Sequence, residues 1–162
     1  MEHLWTPWRS TYMKSKKDVG LCVFCRAGSA HGNDEENLVI LRANFSFIML
    51  NRYPYTTGHL MIAPFQHAAR LQEIAEETAL EMMHLARRAE AVIQQAYNPD
   101  GLNIGLNLGE AAGAGIEQHL HLHALPRWKG DANFMTSIGQ TRIIPELLVD
   151  TYTKLKTGFS AL

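Results

Sequence analysis

The sequence is short of most features that would mark a specialised class of protein. Its 162 residues include only two cysteines, Cys22 and Cys25, so no disulfide framework can hold it together. No apolar run approaches the length of a membrane span, and no signal peptide opens the chain. Both absences lead to the expectation of a cytoplasmic protein with no membrane partner. Charge of one sign is missing too: 15 Lys and Arg against 16 Asp and Glu leave a net charge of −1. That balance gives no basic footprint, so broad nucleic-acid binding is not expected. Internal repeats and low-complexity tracts are absent. The apolar content of 46% is ordinary for a globular protein. The length suits one domain over 1–162, with an N-terminal arm at 1–19 and a C-terminal extension at 129–162.

Against this plain background, residues 116–128 read I-E-Q-H-L-H-L-H-A-L-P-R-W. His119, His121 and His123 alternate with Leu120, Leu122 and Ala124, the period of a strand with one face in the core. The apolar residues would pack inward and the imidazoles would share the other face, roughly 6–7 Å apart along a straight strand. That spacing suits three rings serving one extended anionic substrate better than two neighbours chelating one ion. A neutral imidazole is a competent nucleophile at phosphorus near pH 7; spacing alone does not fix which of the three attacks, though the central His121 is the natural choice. Upstream, residues 109–115 (G-E-A-A-G-A-G) are nearly free of bulky side chains. Gly113 and Gly115 would let backbone N–H groups approach phosphate oxygens closely. Asn107 could donate to a phosphate oxygen from the adjoining strand or cap the following turn, and Trp128 could stack on a base or fill the core.

The remaining pattern indicates an α+β domain. Residues 38–41, 45–50, 59–63, 101–108 and the histidine segment read as five strands of an antiparallel sheet. From 75 to 97, Ala79, Met82, Leu85, Ala86, Ala89, Val92, Ile93 and Ala96 recur at three and four residues, predicting one long amphipathic helix. Pro145 opens a C-terminal helix running to about 156. Residues 28–37 read as a polar loop. Cys22-Val-Phe-Cys25 has metal-ligand spacing but supplies only half a tetrahedral site; two buried thiols are the alternative.

The run H-L-H-L-H-A-L, its ending Pro126-Arg127-Trp128, the A-A-G-A-G-I loop and the opening L-W-T-P-W-R resemble the histidine triad superfamily. They are most similar to its bacterial diadenosine tetraphosphate phosphorylase-like branch. The resemblance implies a nucleotidyl transferase that cleaves dinucleoside polyphosphates with inorganic phosphate as acceptor. His121 would form the nucleotidyl intermediate, His123 would contact the phosphates and Asn51 the ribose. It further implies a structural Zn2+ held by Cys22, Cys25, His67 and His119, and pairing into a homodimer or higher homo-oligomer. A hydrolase of dinucleoside polyphosphates or nucleoside phosphoramidates is the alternative enzyme, and a zinc-stabilised nucleotide-binding module the alternative of another class. Many triad hydrolases carry Gln and then Ser or Thr where this chain has Gly115 and Ile116.

Overall fold

The computed structural model describes residues 22–131, 138 and 144–161. The arm expected at 1–19, and much of the extension expected at 129–162, lie outside them. The expected α+β class is found. Strands β1 (Val39–Arg42), β2 (Ser46–Leu50), β3 (Leu60–Pro64), β4 (Gly101–Leu106) and β5 (Leu122–Arg127) form one antiparallel sheet in the order β1-β2-β3-β5-β4. β2 and β3 are buried at every position, because both faces of the sheet are covered. Ile48, Leu50, Leu60, Ile62, Leu122 and Ala124 belong to the larger core. Phe47, Met49, Met61 and Ala63 face the other way, into a smaller core with Phe24 and Ala27.

The long helix α2 (Glu76–Tyr97) closes the larger core with Met82, Leu85, Ala86, Ala89, Val92 and Ile93, the stripe expected from their spacing. Glu76 and Glu77 sit at its positive end, and Asn98 ends it in the left-handed conformation at φ 43°. Glu81 ties this helix to the β1–β2 hairpin by accepting from Asn44 N, Phe45 N and Ser46 Oγ. Burial pushes the Glu81 carboxyl up, but these bonds outweigh it and hold the group below the usual carboxylate range. Helix α3 (Leu148–Ser160) begins and ends later than its sequence signals indicate, and it packs on α2.

A helix absent from the sequence reading, α1 (Val23–Ser29), covers the second face of the sheet. With seven residues it is too short to display a period, and its start coincides with the cysteine pair. This helix encloses the face that carries the histidines.

Candidate active site and metal centre

Among the three histidines only His123 lies in β5, which begins at Leu122. His119 and His121 belong to the segment leading into it, so the expected strand through all three is shortened. β4 ends at Leu106, opposite Leu122, and the pairing with β3 stops at Ile62; Leu120 N donates instead to Ala68 O at 2.6 Å in the link after β3. Leu120, Leu122 and Ala124 still enter the larger core as their alternation requires. The imidazoles do not lie on an open surface. His119, His121 and His123 are 1%, 5% and 7% exposed, because Phe24 of α1 packs on His119 and His121 at ring distances of 5.1 and 4.7 Å. His121 and His123 meet edge to face at 4.8 Å, closer than same-face residues on a straight strand.

The hydrogen bonds assign a tautomer to each ring. His121 Nδ1 lies 2.7 Å from the His119 carbonyl, which can only accept, so Nδ1 carries the proton and Nε2 keeps its lone pair. His123 Nδ1 lies 2.8 Å from Nε2 of His59. Tyr55 N donates to His59 Nδ1 at 3.2 Å, and Asn51 Nδ2 lies 3.3 Å from the same nitrogen. His59 is therefore protonated at Nε2 and donates to His123 Nδ1, which leaves the His123 proton on Nε2. One ring of the pair offers a lone pair and its neighbour an N–H.

His59 is the candidate site residue that the alternating pattern alone does not reveal. It precedes β3 by one position, is fully buried, and is 64 residues from His123 in sequence. The usable signal was a lone histidine opening an otherwise wholly apolar strand, where burial demands a partner. Tyr55 lies over both rings, 4.8 Å from His59 and 6.1 Å from His123.

Burial keeps these rings neutral. It lowers the pKa of His121, against the opposing pull of the His119 carbonyl. Burial, with a smaller contribution from His121, lowers His123 to about 4. At neutral pH His121 is thus an uncharged imidazole.

The other expected site residues are placed unevenly. Asn107 follows β4 by one residue, next to the Leu106–Leu122 pair, level with His121 if the register continues. Asn51 directs its amide at His59, accepts from Tyr53 N at 2.9 Å through Oδ1, and lines a cavity of about 50 Å³ with Leu50, Thr57 and Glu146. Trp128 is not brought to the histidines of its own chain. It follows the far end of β5 and packs edge-on against Tyr97 at 6.5 Å. Arg127 is committed to Asp131 and Asn103.

The glycine-rich loop differs from a ready-made anion cradle. Gly109 at φ 84° and Gly113 at φ 86° bracket a 3-10 turn over Glu110–Ala112. Inside it, Gly113 N donates to Glu110 O at 2.8 Å and Ala114 N to Gly109 O at 3.3 Å. A turn this tight satisfies its own amides, so these N–H groups point inward. A Cβ at Gly113 would meet nothing within 4 Å, so this part of the loop offers room.

The cysteines and two distant histidines converge. The ligand atoms of Cys22, Cys25, His67 and His119 all lie within 4.8 Å of one another. Cys22 Sγ is 3.3 Å from His119 Nδ1, and Cys25 Sγ is 3.2 Å from His67 Nδ1 and 3.5 Å from His119 Nδ1. The edges of a tetrahedron with Zn–S near 2.3 Å and Zn–N near 2.0 Å are about 3.5 Å long, so the donor set fits zinc. His119 Nε2 lies 2.9 Å from Pro64 O, which places its proton on Nε2 and turns Nδ1 to the cluster. The ring of His119 thus faces the candidate metal site while its carbonyl orients His121.

Comparison with known proteins identifies the family. A model of the HIT domain matches residues 33–130. The AP-4-A phosphorylase of Mycobacterium tuberculosis (strain ATCC 25618 / H37Rv) is 39% identical over 170 residues, covering 99% of this chain and 85% of that protein. A bis(5'-adenosyl)-triphosphatase of Dictyostelium discoideum is 28% identical over 93 residues, 57% of this chain and 62% of its own. Among solved structures, a Zn-bound histidine triad family protein from Mycobacterium smegmatis aligns with a TM-score of 0.69 at 27% identity, covering 86% of this chain and 94% of the other. The chain belongs to the HIT domain family. Within it the chain falls in the phosphorylase-like branch, and it is a histidine triad enzyme, a nucleotidyltransferase or hydrolase.

Proposed function

We propose that this enzyme cleaves dinucleoside polyphosphates by phosphorolysis, turning diadenosine tetraphosphate and phosphate into ATP and ADP. The observation that carries the reading is the bond from His121 Nδ1 to the His119 carbonyl, which leaves Nε2 with its lone pair beside the protonated Nε2 of His123. In the first step, His121 Nε2 attacks a terminal α-phosphorus, and the bond to the bridging oxygen breaks to release ATP. In the second, a phosphate oxygen attacks the phosphoramidate, the N–P bond breaks, and ADP leaves. His123 donates from Nε2 to phosphate oxygens as charge develops. His59 orients His123, and Asn51 orients His59 while offering its amide to the ribose. Asn107 faces the phosphates, and Gly113 and Gly115 leave room for phosphate where other triad enzymes carry polar side chains. Trp128 would reach a base only across a subunit boundary.

Zn2+ at Cys22, Cys25, His67 and His119 would cross-link α1, the link after β3 and the approach to β5, adding to folding free energy. The site residues occupy one domain, and the edge strand β4 exposes Asn103, Ile104 and Gly105, which supports assembly as a homodimer. Among the described residues no helix is long and apolar enough to cross a membrane, in keeping with a cytoplasmic enzyme.

The deciding experiment is incubation with diadenosine tetraphosphate, with and without inorganic phosphate, followed by product identification. Phosphate should accelerate cleavage and yield ATP and ADP without AMP. Release of AMP at one rate in both arms would identify a hydrolase. Gly115→Gln should impair phosphate use more than formation of the covalent intermediate.

A further inference from the structure

Four ligand atoms from three separate parts of the chain can close on one ion only if the element carrying two of them is held still. That element is α1, and little holds it. It has seven residues, and no side chain caps its N-terminus at Cys22. Helices this short are marginal in water, and the last carbonyls of any helix lack partners within it. Phe24 and Ala27, with Val23 beside them, anchor its inner face, but apolar contacts are non-directional and do not fix how the helix slides or rocks.

Arg42 supplies what is missing. It ends β1, and its side chain is only 16% exposed. Its Nη1 donates to Gly28 O at 2.7 Å, and its Nη2 donates to Ala27 O at 2.7 Å and to Ala30 O at 3.3 Å. Nε donates to Asp34 Oδ1 at 2.9 Å, which fixes the guanidinium plane. A planar fork that satisfies three carbonyls at the negative end of a helix both restrains and stabilises it. Gly28 completes the seat: a Cβ there would lie 3.2 Å from Phe65, so the absence of a side chain lets the helix sit this close to the sheet. From Gly28 to Cys25 is less than one helical turn, so the restraint reaches the first thiol directly.

We propose that Arg42 is a positioning residue of the metal centre, holding α1 so that Cys22 and Cys25 meet His67 and His119 in ligating geometry. The inference rests on the metal reading given above. It goes beyond that reading in assigning the affinity of the site partly to a residue that touches no ligand atom. With Arg42 in place the thiols are arranged before the ion arrives. Without it, binding must also order the helix, and affinity falls by that cost.

The test uses the full chain with Co2+ as a spectroscopic stand-in for zinc, in wild type, Arg42→Met, Arg42→Lys and the control Arg26→Met. Arg26 is an exposed residue of the same helix, so its loss removes a positive charge without touching the clamp. Folding is verified for each by circular dichroism. Wild type and Arg26→Met should share thiolate-to-metal and tetrahedral ligand-field bands. Arg42→Met should show shifted, weaker bands and release the ion to a chelator about tenfold faster or more, with Arg42→Lys between. Should Arg42→Met fail to fold, Arg42→Lys against wild type carries the comparison. Folded Arg42 variants with wild-type bands and release rate would overturn the clamp while leaving the metal centre intact. Absence of thiolate bands in the wild type would overturn the metal reading and the clamp with it.

Discussion

His121 and His123 are chemically the same residue, two positions apart and both buried, yet their hydrogen bonds give them opposite faces. The His119 carbonyl holds the proton of His121 on Nδ1, and the donor from His59 holds the proton of His123 on Nε2. His121→Ala should therefore lower kcat by about a thousandfold or more while leaving nucleotide affinity nearly unchanged, because it removes a nucleophile rather than a binding contact. Transient kinetics with labelled substrate checks this: covalent label should disappear from the variant. His59→Ala should act through His123, whose Nδ1 it would leave unpartnered. A loss of roughly tenfold to a hundredfold in kcat is expected, as for other partners that orient a histidine. Labelling of His121 should persist in that variant, which separates a positioning role from a nucleophilic one. Of these residues, the alternating triad was evident from spacing alone. His59 was not, because a single histidine before an apolar strand has no pattern to announce its partner 64 residues away.

At the scale of elements, two helices are held by close approach. Gly158 of α3 lies against Val92 of α2, where a Cβ would come within 2.7 Å of Val92 Cγ1. Ala normally gains about 1 kcal/mol over Gly inside a helix. Overpacking against a fully buried, β-branched neighbour costs about 1–3 kcal/mol, so the clash should win. Gly158→Ala should lower the urea midpoint. On the other face of the sheet, α1 would be held by the proposed metal as well as by packing. Purified protein should hold about one zinc per chain, and Cys22→Ser should lower Tm by several degrees in calorimetry, more than it lowers turnover by the remaining folded enzyme. Metal-free protein with an unchanged Tm would contradict this. The cysteine spacing in the sequence pointed toward a metal, but α1 itself did not show, since seven residues give no measurable period.

At the scale of the molecule, buried neutral histidines make the fold sensitive to acid. The His123 pKa is about 4 in the folded protein and near 6.5 when the chain unfolds. Between these values the unfolded chain binds a proton that the folded chain refuses, so stability rises with pH through that window. The protein should hold its full stability from this group above pH 6.5 and lose it steadily as pH falls toward 4. Urea unfolding at pH 7, 6, 5 and 4 measures this, and His123→Gln should flatten the decline. A decline of equal slope in the variant would assign it to other groups.

What the sequence determined by itself was whatever follows from local periodicity and spacing. The strands, the long helix and the alternation that buries Leu120, Leu122 and Ala124 are consequences of side-chain direction along a short stretch of backbone. Resemblance carried the assignment further, to the family and its four metal-ligand positions. Tertiary structure alone decided which atoms face one another. It cut the triad strand short where β4 and the pairing with β3 stop, and it turned the amides of Gly113 and Ala114 onto the loop's own carbonyls. It placed Trp128 beside Tyr97 and away from the histidines, and it joined His59 to His123 and Arg42 to the end of α1. The reason is physical: a periodic pattern records which face of an element is buried, whereas a hydrogen bond between residues 64 apart depends on the register of strands β3 and β5, which no local stretch of sequence encodes.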